Sequence, residues 1–200
     1  RIKPSKADEA RVREIAAAAL NDINKNIDGA KAIIGGSGAK DTWLKGMFDI
    51  DIFVLFDYSK FADRSNELSD ILEKALKKSF KGLKRLHGSR DYFRLKKAGF
   101  TFEIVPILRV KAAKKARNMT DLSPLHSAWV RSRADDKLAD EIRLLKAFCR
   151  ANRIYGAESH IAGLSGYVCE ILIIYYGSFL KLLKEAQKWK NKEIIDVEWH

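Results

Sequence analysis

Apolar residues recur at three- and four-residue spacing early in the chain. Val12, Ile15, Ala19, Ile23 and Ile27 fall on one side of a 3.6-residue period, so the pattern predicts an amphipathic helix over 4–27, with Asn26 and Gly29 near its end. Ala32 to Ile34 is a short apolar run that stops at Gly35-Gly36, which predicts a strand entering a tight turn. Residues 47–56 are rich in Phe, Ile and Val and predict a buried strand. Leu68, Ile71, Leu72, Ala75 and Leu76 share one face of a basic segment, which predicts a helix over 61–86. Tyr92 to Lys96 and Phe100 to Val110 predict two strands joined at Lys97-Ala98-Gly99.

The pattern changes after a basic connector carrying Lys111, Lys114, Lys115 and Arg117. Helical spacing then dominates, over about 123–132, 135–152 and 167–190, with Asp135 or Asp136 available as a cap and a break at Gly163 to Gly166. The expected class is α+β. A mixed sheet with helices packed on it fills 1–117, and a mostly helical domain fills 118–200.

Two acids interrupt the strongest strand. Asp49 and Asp51 alternate with Phe48, Ile50 and Ile52, so they point to one face, roughly 6.5–7 Å apart along the backbone. Like charges on a half-buried face repel and lose hydration. A divalent cation relieves both penalties, because hard cations take carboxylate oxygens. The competing reading is an exposed strand end paired with lysines. Glu103 alternates with Phe102 and Ile104 in the later strand. If the two strands are neighbours, three carboxylates share a surface and can hold two Mg²⁺ about 3.5–4 Å apart, as in-line phosphoryl transfer uses. Alone, Glu103 reads as a surface residue on an edge strand, where Pro106 is tolerated. Upstream, Gly36, Ser37 and Lys40 in GGSGAKD form a small, flexible turn whose N–H groups, hydroxyl and charge suit a phosphate. The spacing is not that of a P-loop.

Composition narrows the partner. Lys plus Arg is 38 against 26 Asp plus Glu, a net charge of +12, and the pI is near 9.7. Both favour an anionic partner such as nucleic acid. Cys149 and Cys169 sit among apolar residues at helical spacing and are expected as buried free thiols, which fits a cytoplasmic setting. The four histidines show no metal-finger spacing with them. The longest apolar run, Ile171 to Tyr176, is too short for a membrane span, so no membrane partner is expected.

Taken together, the segments carry a family resemblance. A Gly-Ser turn, a [DE]x[DE] strand and a third acid in a later strand form the pattern of the polymerase-β nucleotidyltransferase superfamily. GGSGAKDTWL, FDIDIFVLF, FEIVPIL, RLLKAFCRANRIYGAE and GLSGYVCEILIIYYGSF together resemble the archaeal, class I CCA-adding enzymes, over about residues 33–180. The resemblance implies template-independent addition of C, C and A to tRNA 3′ ends from CTP and ATP with two Mg²⁺ ions. It implies that Asp49, Asp51 and Glu103 are the catalytic, metal-binding acids. One Mg²⁺ would then activate the 3′ hydroxyl and the other hold the triphosphate. Glu103 would be a ligand on the nucleophile side and the candidate to take its proton. Gly36, Ser37 and Lys40 fall on the triphosphate turn, where the family often has Arg in place of Lys40. Lys146 and Tyr155 fall on positions that contact the triphosphate. Ser123 and His126, in LSPLH, fall on a segment that contributes to the nucleotide site.

Read without the resemblance, Lys146 is a snorkelling helix lysine, Tyr155 a core aromatic and His126 a surface residue. Family members are about twice this length, and their later domains grip the tRNA. A truncated chain, a split gene with a second polypeptide and a reduced enzyme are the three explanations. Another polymerase-β-type enzyme making poly(A) or oligonucleotides, and a non-catalytic RNA-binding subunit, are the competing functions.

Overall fold

The computed structural model describes residues 2–46 and 49–198. Met47 and Phe48, the first two residues of the strand expected over 47–56, lie outside the described residues. Helix α1, Lys6–Asn24, starts in a capping box. The Ser5 hydroxyl accepts from the Asp8 N–H, and the Asp8 carboxylate accepts from the Ser5 N–H. It buries Val12, Ala16, Ala19 and Ile23. Strand β1, Ala30–Ile34, runs directly into the five-residue helix α2, Gly36–Lys40.

Strands β2 (Ile50–Phe56), β3 (Lys84–Leu86), β4 (Tyr92–Lys97) and β5 (Phe100–Leu108) complete a five-stranded sheet in the order β1-β2-β5-β4-β3. Only the β2–β5 pairing is parallel. Ile50, Ile52, Val54, Phe93, Phe102 and Ile104 are buried in one core with α1 and with Leu68, Leu72 and Leu76. Asp51, Glu103 and Arg94 are on the opposite face by alternation and by register. Strand β5 is central, not an edge. Pro106 is tolerated because it lies beyond the end of the β4 pairing.

The helix expected over 61–86 is shorter than its pattern. After a single turn, α3 (Tyr58–Phe61), and a 3₁₀ segment, α4 spans only Leu68–Ser79. Gly82 takes a left-handed φ of 74° and turns the chain. Residues 84–86 then pair with β4 as the edge strand, a contact that local periodicity does not reveal.

Helices α5 (Ser123–Arg133), α6 (Asp136–Ala151), α7 (Gly166–Tyr176) and α8 (Phe179–Ala186) form the second part. The Asp135 side chain caps α6. The helix expected over 167–190 is two helices. Gly177, at φ 78°, ends the first, the Ser178 side chain caps the second, and the axes bend by 91°. Among the described residues, no single helix is long and apolar enough to cross a membrane. Ile142, Leu145, Cys149, Cys169, Leu172, Ile173 and Leu182 make a separate core, with both thiols free and buried.

Two buried charges tie the parts together. Asp121 accepts from the Leu108, Arg117 and Asn118 N–H groups and pairs with Arg90. Arg143, 1% exposed, donates to the Trp43 and Asp41 carbonyls and to the Asp41 and Asp140 carboxylates. Trp43 packs in the sheet core.

Candidate active site

The site is built on the polar face of β2 and β5. Their parallel register sets Asp51 directly beside Glu103. Asp49, expected inside the same strand as Asp51 on a half-buried face, lies just before β2 and is exposed, because the ladder with β5 starts only at Ile50. Burial pushes the Asp51 carboxyl up to about 7, reinforced by the charges of Glu103 and Asp49 and opposed by Lys40 and Lys146. Glu103 is held by Arg94, whose Nη2 donates to Oε1 at 2.5 Å and Nε at 3.1 Å.

The three acids therefore share one field without closing on a point. Among the described residues, no group of three or more His, Cys, Asp or Glu is gathered tightly enough to enclose a metal as it stands. The donor chemistry nonetheless fits a hard divalent cation. All the donors are carboxylate oxygens, and burial together with like charge disfavours the ionised form of Asp51, a penalty that a cation relieves.

The Gly-Ser turn is locked onto this face. The Gly35 N–H donates to the Asp51 carbonyl at 2.8 Å. Gly36 has φ 52°, and a Cβ there would lie 1.6 Å from Asp51 Oδ2. Only glycine fits, on both counts. Ser37 is in α2, and its carbonyl accepts from the Thr42 N–H at 3.1 Å.

Lys40 and Lys146 meet, from α2 and α6, on a residue that sequence reading passed over. Glu170 Oε2 accepts from Lys40 Nζ at 2.6 Å, and Oε1 accepts from Lys146 Nζ at 2.7 Å. The Thr42 hydroxyl donates to Oε1 at 2.7 Å and accepts from Lys146 Nζ at 2.8 Å. Lys146 does not snorkel; it is buried. Burial pulls its pKa down, and Glu170 acts against that. Burial also raises the Glu170 carboxyl, but the Lys146 and Lys40 charges overcome it and hold it below the ordinary range. One signal for Glu170 was available: it is the single charged residue in the helix GYVCEILIIYY, and a carboxylate on a buried face needs a partner. Nothing local marks Thr42, Arg94 or Arg143.

Of the remaining expected residues, His126 lies near Lys40, whereas the contacts of Tyr155 and Ser123 are within the helical part. His126 stacks on Tyr167, with ring centroids 4.2 Å apart and planes 13° from parallel. Burial, then the Lys40 charge, hold its imidazole below the ordinary pKa. The Lys40 ammonium lies 5.9 Å from the Tyr167 ring centroid. Tyr155 bridges to Leu164 and lies under the Arg150 guanidinium. Its hydroxyl is so close to Gly166 that a Cβ there would be 2.7 Å away. Ser123 is the first residue of α5, and its carbonyl accepts from the Ser127 hydroxyl. A cavity of about 420 Å³ touches Lys40, Gly38, Trp43 and Arg131, but none of the three acids lines it.

Comparison with known proteins decides the family. Residues 15–115 match the nucleotidyltransferase domain. The chain belongs to that family. Residues 140–200 match the second domain of tRNA nucleotidyltransferases. A CCA-adding enzyme of Methanocaldococcus jannaschii is 38% identical, over 97% of this chain and 45% of that protein. One from Sulfurisphaera tokodaii is 39% identical over 98% and 46%, and one from Nanoarchaeum equitans 43% over 84% and 41%. The resemblance to archaeal CCA-adding enzymes read from the motifs thus extends along nearly the whole chain. The chain spans about half the length of the curated relatives it matches. In fold it is like a cytoplasmic RNA terminal U-transferase (TM-score 0.62, 18% identity, 88% of this chain and 49% of the other). It is equally like the Cid1 poly(U) polymerase bound to MgATP (TM-score 0.64, 21% identity, 88% and 52%). The α+β class, a mixed sheet with helices followed by a mostly helical part, is as expected.

Proposed function

We propose that this chain is the catalytic part of a magnesium-dependent, template-independent nucleotidyltransferase that adds C, C and A from CTP and ATP to tRNA 3′ ends. One juxtaposition carries the reading: Asp51 and Glu103 abreast on parallel strands, with Gly36 pressed against Asp51, in a nucleotidyltransferase chain. In this reading, residues 1–117 are the catalytic domain, and residues 118–200 complete the nucleotide site.

Asp49, Asp51 and Glu103 would hold two Mg²⁺ ions, which when bound acidify the attacking hydroxyl and offset the charge of the leaving pyrophosphate. Arg94 holds Glu103 through Oε1 alone, and the Glu103 carboxylate is the candidate to take the proton from the 3′ hydroxyl. Gly36 lets the triphosphate approach the strand closely, and the Ser37 hydroxyl donates to it. Lys40 and Lys146, paired on one carboxylate, supply positive charge. The Tyr155 phenol donates to a phosphate oxygen, while Ser123 and His126 border the nucleotide. Positioning and charge neutralisation do most of the work of an in-line attack. The cations of α4 and of residues 111–117 would hold tRNA phosphates weakly and salt-sensitively. Grip on the rest of the tRNA draws on regions outside the match, in the same polypeptide or a second one.

A second reading, a tailing enzyme of another nucleotide preference, is favoured by the fold likeness to terminal U-transferases. One experiment separates the two. The chain is incubated with tRNA lacking its CCA end, Mg²⁺ and each NTP alone or CTP with ATP, and the 3′ ends are sequenced. Ends completed to CCA support the first reading, and homopolymer tails the second. A chain that binds neither CTP nor ATP in the presence of Mg²⁺ overturns both.

A further inference from the structure

The mechanism uses Lys40 and Lys146 but gives no role to the carboxylate between them. Glu170 is fully buried, and both its oxygens are occupied by groups from three segments: Lys40 at the end of α2, Thr42 just beyond it and Lys146 in α6. A lysine as buried as Lys146 tends to lose its proton unless a counter-charge stays beside it. Glu170 is that counter-charge for both lysines. One carboxylate between two ammoniums leaves a net positive charge. Among the described residues, Lys40 donates one side-chain hydrogen bond, to Glu170. Two of its N–H groups are left for phosphate oxygens.

We infer that Glu170 is a positioning residue that holds the Lys40 ammonium beside the buried Lys146 charge, so that Lys40 is a preformed donor to the polyphosphate of the incoming nucleotide. The inference rests on the nucleotidyltransferase reading and deepens it. Because the triad spans α2, α6 and α7, it also locks the Gly-Ser turn to the helical part. Glu170 thereby acts on the triphosphate through the lysines and not by contact.

The test is calorimetric titration of the 200-residue chain with ATP and, separately, AMP, each with Mg²⁺. Wild type is compared with Glu170→Gln and Thr42→Val. Glu170→Gln is expected to weaken ATP binding about tenfold or more, the size of a lost charge-assisted contact. AMP, which lacks the outer phosphates, should change less than twofold. Thr42→Val keeps the charge and removes one support, so it should show a smaller loss, about threefold, again confined to ATP. A folded Glu170→Gln that binds ATP as wild type does, or loses ATP and AMP affinity equally, overturns the inference and leaves the functional reading standing. If Glu170→Gln does not fold, Thr42→Val decides, and unchanged ATP affinity overturns the inference. Wild-type chain that binds no ATP overturns the functional reading, and the inference with it.

Discussion

Gly36 and Asp51 are packed so closely that a single added carbon on Gly36 would lie 1.6 Å from the Asp51 carboxylate oxygen. The turn and the acid therefore form one unit. Gly36→Ala must push Asp51 aside and also carry a side chain at φ 52°. The expected cost is about 1–3 kcal/mol of stability. Nucleotide incorporation should fall below detection while the circular dichroism spectrum stays native. Thermal melts and a primer-extension assay on the same sample check both.

Asp51 makes stability depend on pH. Its carboxyl is raised to about 7 in the folded chain, well above the ordinary value near 3.9. The folded state thus binds the proton more tightly than the unfolded one. Metal-free protein should lose stability as pH rises from about 4 to about 7, by an amount on the order of a few kcal/mol. Asp51→Asn removes this slope, so in EDTA the variant should become the more stable protein across that window, with the gap levelling off above pH 7. Mg²⁺ should close the gap for wild type alone. Melting curves at pH 5, 6, 7 and 8 decide it. The same variant should be inactive.

If Glu103 binds a metal, as proposed, Arg94 draws on the same carboxylate. The pair is partly exposed, so its worth is small. Arg94→Gln should free Glu103 and make the face more negative, lowering the Mg²⁺ concentration for half-maximal activity about threefold. An unchanged or higher requirement would show that Arg94 does not compete.

Arg143 holds the two parts of the chain through the Trp43 and Asp41 carbonyls. Arg143→Ala removes a buried guanidinium and its hydrogen bonds to Trp43 and Asp41, and should cost about 3 kcal/mol or more in urea denaturation. Loss of the hinge without loss of either core should make unfolding less cooperative.

Much of the sheet was legible because a strand's side chains alternate locally. That rule alone placed Asp51 and Glu103 on the polar faces of their strands, opposite Ile50, Ile52, Phe102 and Ile104. Helix length was read less well. The spacing through 61–86 continues past Phe80, but Gly82 and the pairing of Lys84–Leu86 with β4 end the helix. Likewise the apolar spacing through 167–190 hides the bend at Gly177.

The sequence by itself determined that Asp51 and Glu103 are acids on strands, that a glycine turn precedes the first of them, and which helices have an apolar face. Each of these is decided within a few residues. Only the tertiary structure decided that β2 and β5 are neighbours, that Arg94 takes Glu103, and that Lys40 and Lys146 converge on Glu170, 130 and 24 residues away along the chain. Such pairings arise from burying the helices against the sheet and satisfying every charge that burial traps. No local period encodes them.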